Sequence, residues 1–193
     1  MRYLNVKRTQ NTMRYVIILM FSLACLSACF AEPRLTNRFQ IWLNGNNYRL
    51  ALQGKPVTMK FTAVDGRAVD LSQMRGKVVL IDFWETECEP CVEELPRMKA
   101  AFEKYQQKGF EVVGISSDTD KNRLERFLKD KGIIWPQYFE GQERNKFVLE
   151  FGINSFPHML LVDKKGCLRF DNVFAFGAKT NFEGKIEELL SEK

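Results

Sequence analysis

Cys88 and Cys91 stand on either side of Glu89-Pro90, and two thiols three residues apart are the constellation in this 193-residue chain best suited to redox chemistry. A bridge between them closes so short a loop that it constrains almost no unfolded chain, which suits cycling better than stapling. Only a thiolate attacks a disulfide sulfur. The pair follows an apolar run, Val78 to Trp84 (VVLIDFW), and precedes Leu95, Met98, Phe102 and Tyr105, whose spacing predicts a helix over about 89–108 that stops at Gly109. Unpaired N–H groups and the dipole at the start of that helix would stabilise an anion on Cys88. Cys91, one turn deeper on the same face, would resolve the mixed disulfide. Pro90 favours the first helical turn, since its ring presets φ and it lacks an N–H that would go unpaired there.

Three acids bear on those sulfurs. Asp82 interrupts an otherwise apolar strand, so desolvation should raise its pKa and make it a candidate proton acceptor for Cys91. Glu87 and Glu89 flank Cys88, oppose the helix dipole and favour dithiol over thiolate, which leans the couple towards reducing. No metal is expected, because a structural zinc site needs two more ligands and Cys167 and the single histidine, His158, stand apart. The redox-active Cys88–Cys91 disulfide is then the only prosthetic element. A Cu(I)-binding module built from Cys88, Cys91 and His158 is an alternative, since soft thiolates suit that ion. Cys167, between Gly166 and Leu168, reads as a buried, inert strand residue.

The elements that must hold this motif alternate. A second apolar strand, Phe110 to Ser117, leads to a helix with Asp120 as N-cap, Leu124, Phe127 and Leu128 as its stripe and Gly132 as its stop. Residues 142–151 predict a shorter helix, Met159 to Asp163 and Cys167 to Phe170 a closing hairpin, and Phe182 to Leu190 a last amphipathic helix. The β-α-β-α-β-β-α order predicts an α/β fold with a parallel β-α-β core. Ahead of it, Val57, Met59 and Phe61 lead through Asp65-Gly66 to Val69 and Leu71 as a capping hairpin. Phe39, Ile41 and Leu43, then Asn44 to Asn47, then Tyr48, Leu50 and Leu52 predict another.

The N-terminus carries an address. Tyr15 to Leu26 is an uncharged apolar run just after Arg14, too short to span a bilayer and of the length of a secretory h-region. The net charge of +5 collapses beyond it: the first 29 residues hold four cations and no acid, leaving 25 Lys and Arg against 24 Asp and Glu. A body so balanced lacks the basic footprint of a nucleic-acid binder. Leu26-Ser27-Ala28-Cys29 resembles the lipobox of bacterial lipoproteins, which implies lipidation of Cys29. The expected organisation is a signal peptide at 1–29, a tether with a possible short hairpin at 30–54 and one domain at 55–193.

Residues from about 55 to 190 resemble the thioredoxin fold, and most closely its TlpA/ResA-like branch of membrane-associated extracytoplasmic thiol-disulfide oxidoreductases. The match rests on Gly76-Lys77, Phe83-Trp84, Cys88-Glu89-Pro90-Cys91, Glu94-Leu95-Pro96, Val113-Gly114-Ile115-Ser116 and Phe156-Pro157 leading into Leu161-Val162-Asp163. The resemblance implies a central mixed sheet with flanking helices, and a cis Phe156–Pro157 bond beside the cysteines where the residue before proline offers backbone groups to a client. It implies that Asp82 is the buried aspartate of thioredoxins and that Glu94 assists proton transfer. Trp84, Glu87, Glu89 and Pro90 join Phe156 and Pro157 as motif and docking residues, although family members commonly carry tryptophan where Glu87 stands. The expected activity is reduction of disulfides in exported proteins, apocytochrome c or similar clients among them, with a membrane electron donor and a lipid attachment. A disulfide oxidant or isomerase and a peroxidase of related fold are the alternatives; Thr86-Glu87-Cys88 lacks the peroxidase spacing.

Overall fold

The computed structural model describes residues 48–173 and 181–192. The signal segment, Cys29 and the strand expected around Phe39 to Leu43 lie outside the described residues.

A short antiparallel hairpin, β1 (Lys60–Thr62) and β2 (Ala68–Asp70), turns at Asp65-Gly66 and precedes a five-stranded sheet. Its strands are β3 (Val78–Trp84), β4 (Phe110–Ser116), β5 (Gln137–Tyr138), β6 (His158–Val162) and β7 (Leu168–Asp171), ordered β5-β4-β3-β6-β7. β3 runs parallel to β4, from Val78 opposite Phe110 to Trp84 opposite Ser116, and antiparallel to β6, from Val79 opposite Val162 to Phe83 opposite His158. The sheet is mixed and β3 is its central strand, buried at all seven positions. The helices are α1 (Glu89–Tyr105), α2 (Lys121–Lys131), α3 (Lys146–Glu150) and α4 (Phe182–Ser191).

Alternation along β3 divides the interior. Val78, Leu80 and Trp84 join Cys91, Leu95, Met98 and Phe102 of α1 and Ile186 and Leu189 of α4. Val79, Ile81 and Phe83 join the hairpin residues Met59, Phe61 and Val69 with Phe147 and Phe151. Gly109 (φ 92°) and Gly132 (φ 62°) adopt the left-handed conformation that ends the helical runs, α1 passing first through a 3-10 turn at Gln106–Lys108.

Three expectations are corrected. Residues 48–52 are helical rather than a hairpin strand: Tyr48 and Leu52, one turn apart, pack on the interior around Phe151, while Leu50 between them is 68% exposed. The packed chain therefore already includes residues that the expected 54/55 boundary assigned to a tether. Helix α3 is shorter than 142–151, because the Asn145 side chain caps it by accepting from the N–H groups of Phe147 and Val148. Cys167 is half-buried and precedes β7 in an isolated bridge with Pro56. Strand β5, two residues long, offers no alternation to read.

Candidate functional site

The end of β3 delivers the chain directly to the motif. Cys88 is the N-cap of α1 and is joined to Cys91 by a disulfide across Cα atoms 5.2 Å apart. Its Sγ accepts from the Cys91 backbone N–H at 3.2 Å, so the outer sulfur already sits in the partial positive field of the helix start. Cys88 is 9% exposed and Cys91 2%, which leaves the outer sulfur the more accessible of the two.

Strand alternation puts Asp82 on the face of β3 that also carries Leu80 and Trp84, beneath α1. Its carboxyl is buried, and among the described residues Oδ1 has no hydrogen-bond partner. Burial, reinforced by the charge of Glu94, pushes its pKa up to about 8. Glu94 is half-buried on α1, and that burial raises its own pKa above the usual carboxylate range. The charge on Glu94 therefore bears on Asp82.

The loop between β3 and Cys88 is anchored from outside the motif. Both carboxylate oxygens of buried Asp118 accept the Thr86 N–H at 3.2 Å, Oδ1 accepts the Thr86 hydroxyl at 2.5 Å, and Oδ2 accepts the Ser116 hydroxyl at 2.8 Å. Arg123, in the first turn of α2, reaches Asp118 at 3.5 Å and Glu87 at 2.6 Å. Glu87 is therefore not a bare anion beside Cys88, whereas Glu89 is exposed and Pro90 half-buried. Trp84, grouped with docking residues in the sequence, is 1% exposed: its indole N–H donates to Gln137 Oε1 at 2.9 Å and its ring lies 5.6 Å from Phe127. It supports the motif from below and presents no face to a client.

On the other side of β3, the Phe156–Pro157 bond is cis. His158 pairs with Phe83, which sets Pro157 level with the end of β3, where the loop to Cys88 departs. Phe156 is half-buried against both halves of the interior. His158 Nε2 lies 2.7 Å from Asp171 Oδ1. Among the described residues no group of three His, Cys, Asp or Glu side chains is placed to hold a metal ion.

Residues 52–186 match the Redoxin family model. The chain belongs to the Redoxin family. This Redoxin protein is similar to the thiol-disulfide oxidoreductase ResA of Bacillus thuringiensis (strain Al Hakam), 27% identical over 128 residues that cover 66% of this chain and 72% of that one. A ResA from Geobacillus thermodenitrificans is 27% identical over 161 residues, 83% of this chain and 86% of its own. Among solved structures, one from Chlorobium tepidum assigned as a thiol:disulfide interchange protein DsbE superposes with a TM-score of 0.63 at 27% identity, covering 72% of this chain and 96% of its own. A thioredoxin domain from Bacteroides vulgatus does so at 0.62 and 23%, a likeness of fold alone. The chain is a TlpA/ResA-like member of the thioredoxin superfamily and a protein-disulfide oxidoreductase.

The sequence reading of this Redoxin protein missed Asp118, Arg123 and Ser116. One signal was available: Ser116-Ser117-Asp118 is a polar triplet at the carboxyl end of a strand parallel to β3, the edge at which open α/β sheets place their sites. Nothing local in α2 singles out Arg123, whose role depends on where the fold sets the helix.

Proposed function

We propose that this oxidoreductase reduces disulfides of exported proteins from the outer side of a cell-envelope membrane, held there by lipid on Cys29. The observation that carries the chemical part is a disulfide whose outer sulfur caps a helix while its partner sits one turn inside, above a buried acid with a raised pKa. In the dithiol form, the Cys88 thiolate attacks a client disulfide; the Cys88–client bond forms, the client S–S bond breaks, and the leaving sulfur takes up a proton. The Cys91 proton passes to the ionised form of Asp82, the minority form at neutrality given its pKa of about 8, and the resulting thiolate attacks Cys88 Sγ. The client leaves with its second sulfur reduced, and the Cys88–Cys91 disulfide returns with two electrons spent. A membrane electron donor restores the dithiol. Phe156, before Pro157, offers its backbone groups to an extended client beside Cys88.

The reducing direction is supported by exposed Glu89 in the first helical turn, where a carboxylate competes with a thiolate for the helix dipole. The ion pair of Arg123 with Glu87 favours the opposite reading, an oxidant or isomerase, because it neutralises one of the two expected anions. A measured potential decides: a value near the ~-270 mV of thioredoxin supports a reductase, and one near the ~-120 mV of strong oxidants reverses the assignment.

The chemistry is tested by trapping. Cys91→Ser should accumulate covalent mixed disulfides through Cys88 in the cell envelope and Cys88→Ser should not; equal yields from the two would overturn the assignment of the nucleophile. Among the described residues no helix is long and apolar enough to cross a membrane. The anchor proposed is lipid on Cys29, and Cys29→Ala should move the protein from the membrane to the soluble fraction.

A further inference from the structure

We propose that Arg49, Asp171 and His158 form a clamp holding both ends of the loop 153–157, so that a polypeptide client meets a fixed edge beside the disulfide. The proposal rests on the reading of that loop as client-facing and names residues that control it without touching the sulfurs.

Arg49 is buried, and its guanidinium does three things at once. Nη1 donates to the carbonyl oxygens of Phe151 and, at 3.0 Å, Gly152, while Nε lies 3.1 Å from Asp171 Oδ2. The other carboxylate oxygen of Asp171 lies 2.7 Å from His158 Nε2. The carbonyls immediately before the loop and the ring immediately after it are therefore tied to a single ion pair, with Phe156 and Pro157 suspended between. A planar fork that binds a carboxylate and two carbonyls at once is work for arginine rather than lysine.

Burial by itself would raise the Asp171 carboxyl pKa, yet its bonds to His158 and Arg49 hold it below the usual range, which accords with a charge kept for its partners. Asp171 closes β7 opposite Leu160, so the clamp is seated on the sheet. Arg49 comes from helical residues 48–52, of which all but the last lie outside the 52–186 span that matches the family model. The disulfide in turn sits on α1, on the opposite side of β3 from this network.

Reduction of insulin, driven by dithiothreitol, reports on a polypeptide client, whereas the rate at which dithiothreitol opens the Cys88–Cys91 disulfide reports on the sulfurs alone. For the full chain carrying Arg49→Met, kcat/KM with insulin should fall at least tenfold through KM, with kcat and the dithiothreitol rate within twofold of wild type. Arg49→Lys should recover part of the loss. Asp171→Asn, which keeps the side-chain shape, should reproduce it where Arg49→Met folds poorly. A proportionate fall in the insulin and dithiothreitol rates, or no fall in either, overturns the clamp. Hydrogen exchange reads the same idea without a client: amides of residues 152–158 should exchange at least tenfold faster in Arg49→Met while those of β3 stay protected. Unchanged exchange in that stretch overturns the clamp, whereas failure of the wild type to reduce insulin counts against the client reading alone.

Discussion

Asp82→Asn removes the buried acid beneath the redox helix while keeping its shape, and its consequence for stability can be worked out with sign and size. In the unfolded chain the carboxyl titrates at its ordinary value of 3.8, and in the folded protein at about 8. The folded value is the higher, so between these limits the unfolded state releases its proton first. Wild-type stability is accordingly full below the unfolded value and is lost as the pH climbs towards 8. Each pH unit in that window costs ~1.4 kcal/mol, and the roughly three units between 3.8 and neutrality amount to about 4 kcal/mol at pH 7. Urea unfolding of the disulfide form, wild type against Asp82→Asn, measures the difference directly. The variant should be the more stable by about 4 kcal/mol at pH 7 and level with wild type near pH 4, because Asn carries no proton to lose while every other carboxylate is common to both. Parallel stability curves across that range would refute the claim that burial holds Asp82 protonated.

Two further outcomes follow from the surroundings of the motif. Glu87→Gln frees Arg123 from its 2.6 Å partner and removes an anion beside Cys88. Alkylation of the dithiol at Cys88 should quicken by roughly two- to fivefold at low salt and revert towards wild type at high salt, because exposed pairs are worth only ~0.3–1 kcal/mol and are screened; a salt-independent change would sink the electrostatic account. Gly114→Ala places a Cβ 1.9 Å from Gln137 Oε1, the acceptor of the Trp84 indole N–H. Displacing that acceptor leaves a buried donor unpaired, and the urea midpoint should drop by the equivalent of ~1–3 kcal/mol; an unmoved midpoint would show that Gln137 is dispensable.

What could be read beforehand divides along a physical line. The Cys88–Cys91 motif, the buried Asp82 and helices α1, α2 and α4 announce themselves locally: a seven-residue apolar strand, a 3.6-residue period, Asp120 accepting the Arg123 N–H and Gly109 and Gly132 in the left-handed conformation. Periodicity fails where it is short. Tyr48, Leu50 and Leu52 fit alternation, but Tyr48 and Leu52 fit a helical turn equally well, and only tertiary contact with Phe151 decides between them. The charge around Cys88 was misjudged because Arg123 lies 36 residues from Glu87 and is brought there by the placement of α2. His158, Asp171 and Arg49 stand in no sequence pattern, since their association depends on antiparallel pairing of β6 with β7 and on a segment before the domain's first hairpin.

The two residues between the sulfurs are the least encumbered part of the motif. Beneath them lie Asp82, Trp84 and the packed interior, whereas Glu89 faces water and Pro90 is half out of the protein. A substitution in that dipeptide should therefore change the field at the mouth of α1 with the least disturbance to the packing beneath it.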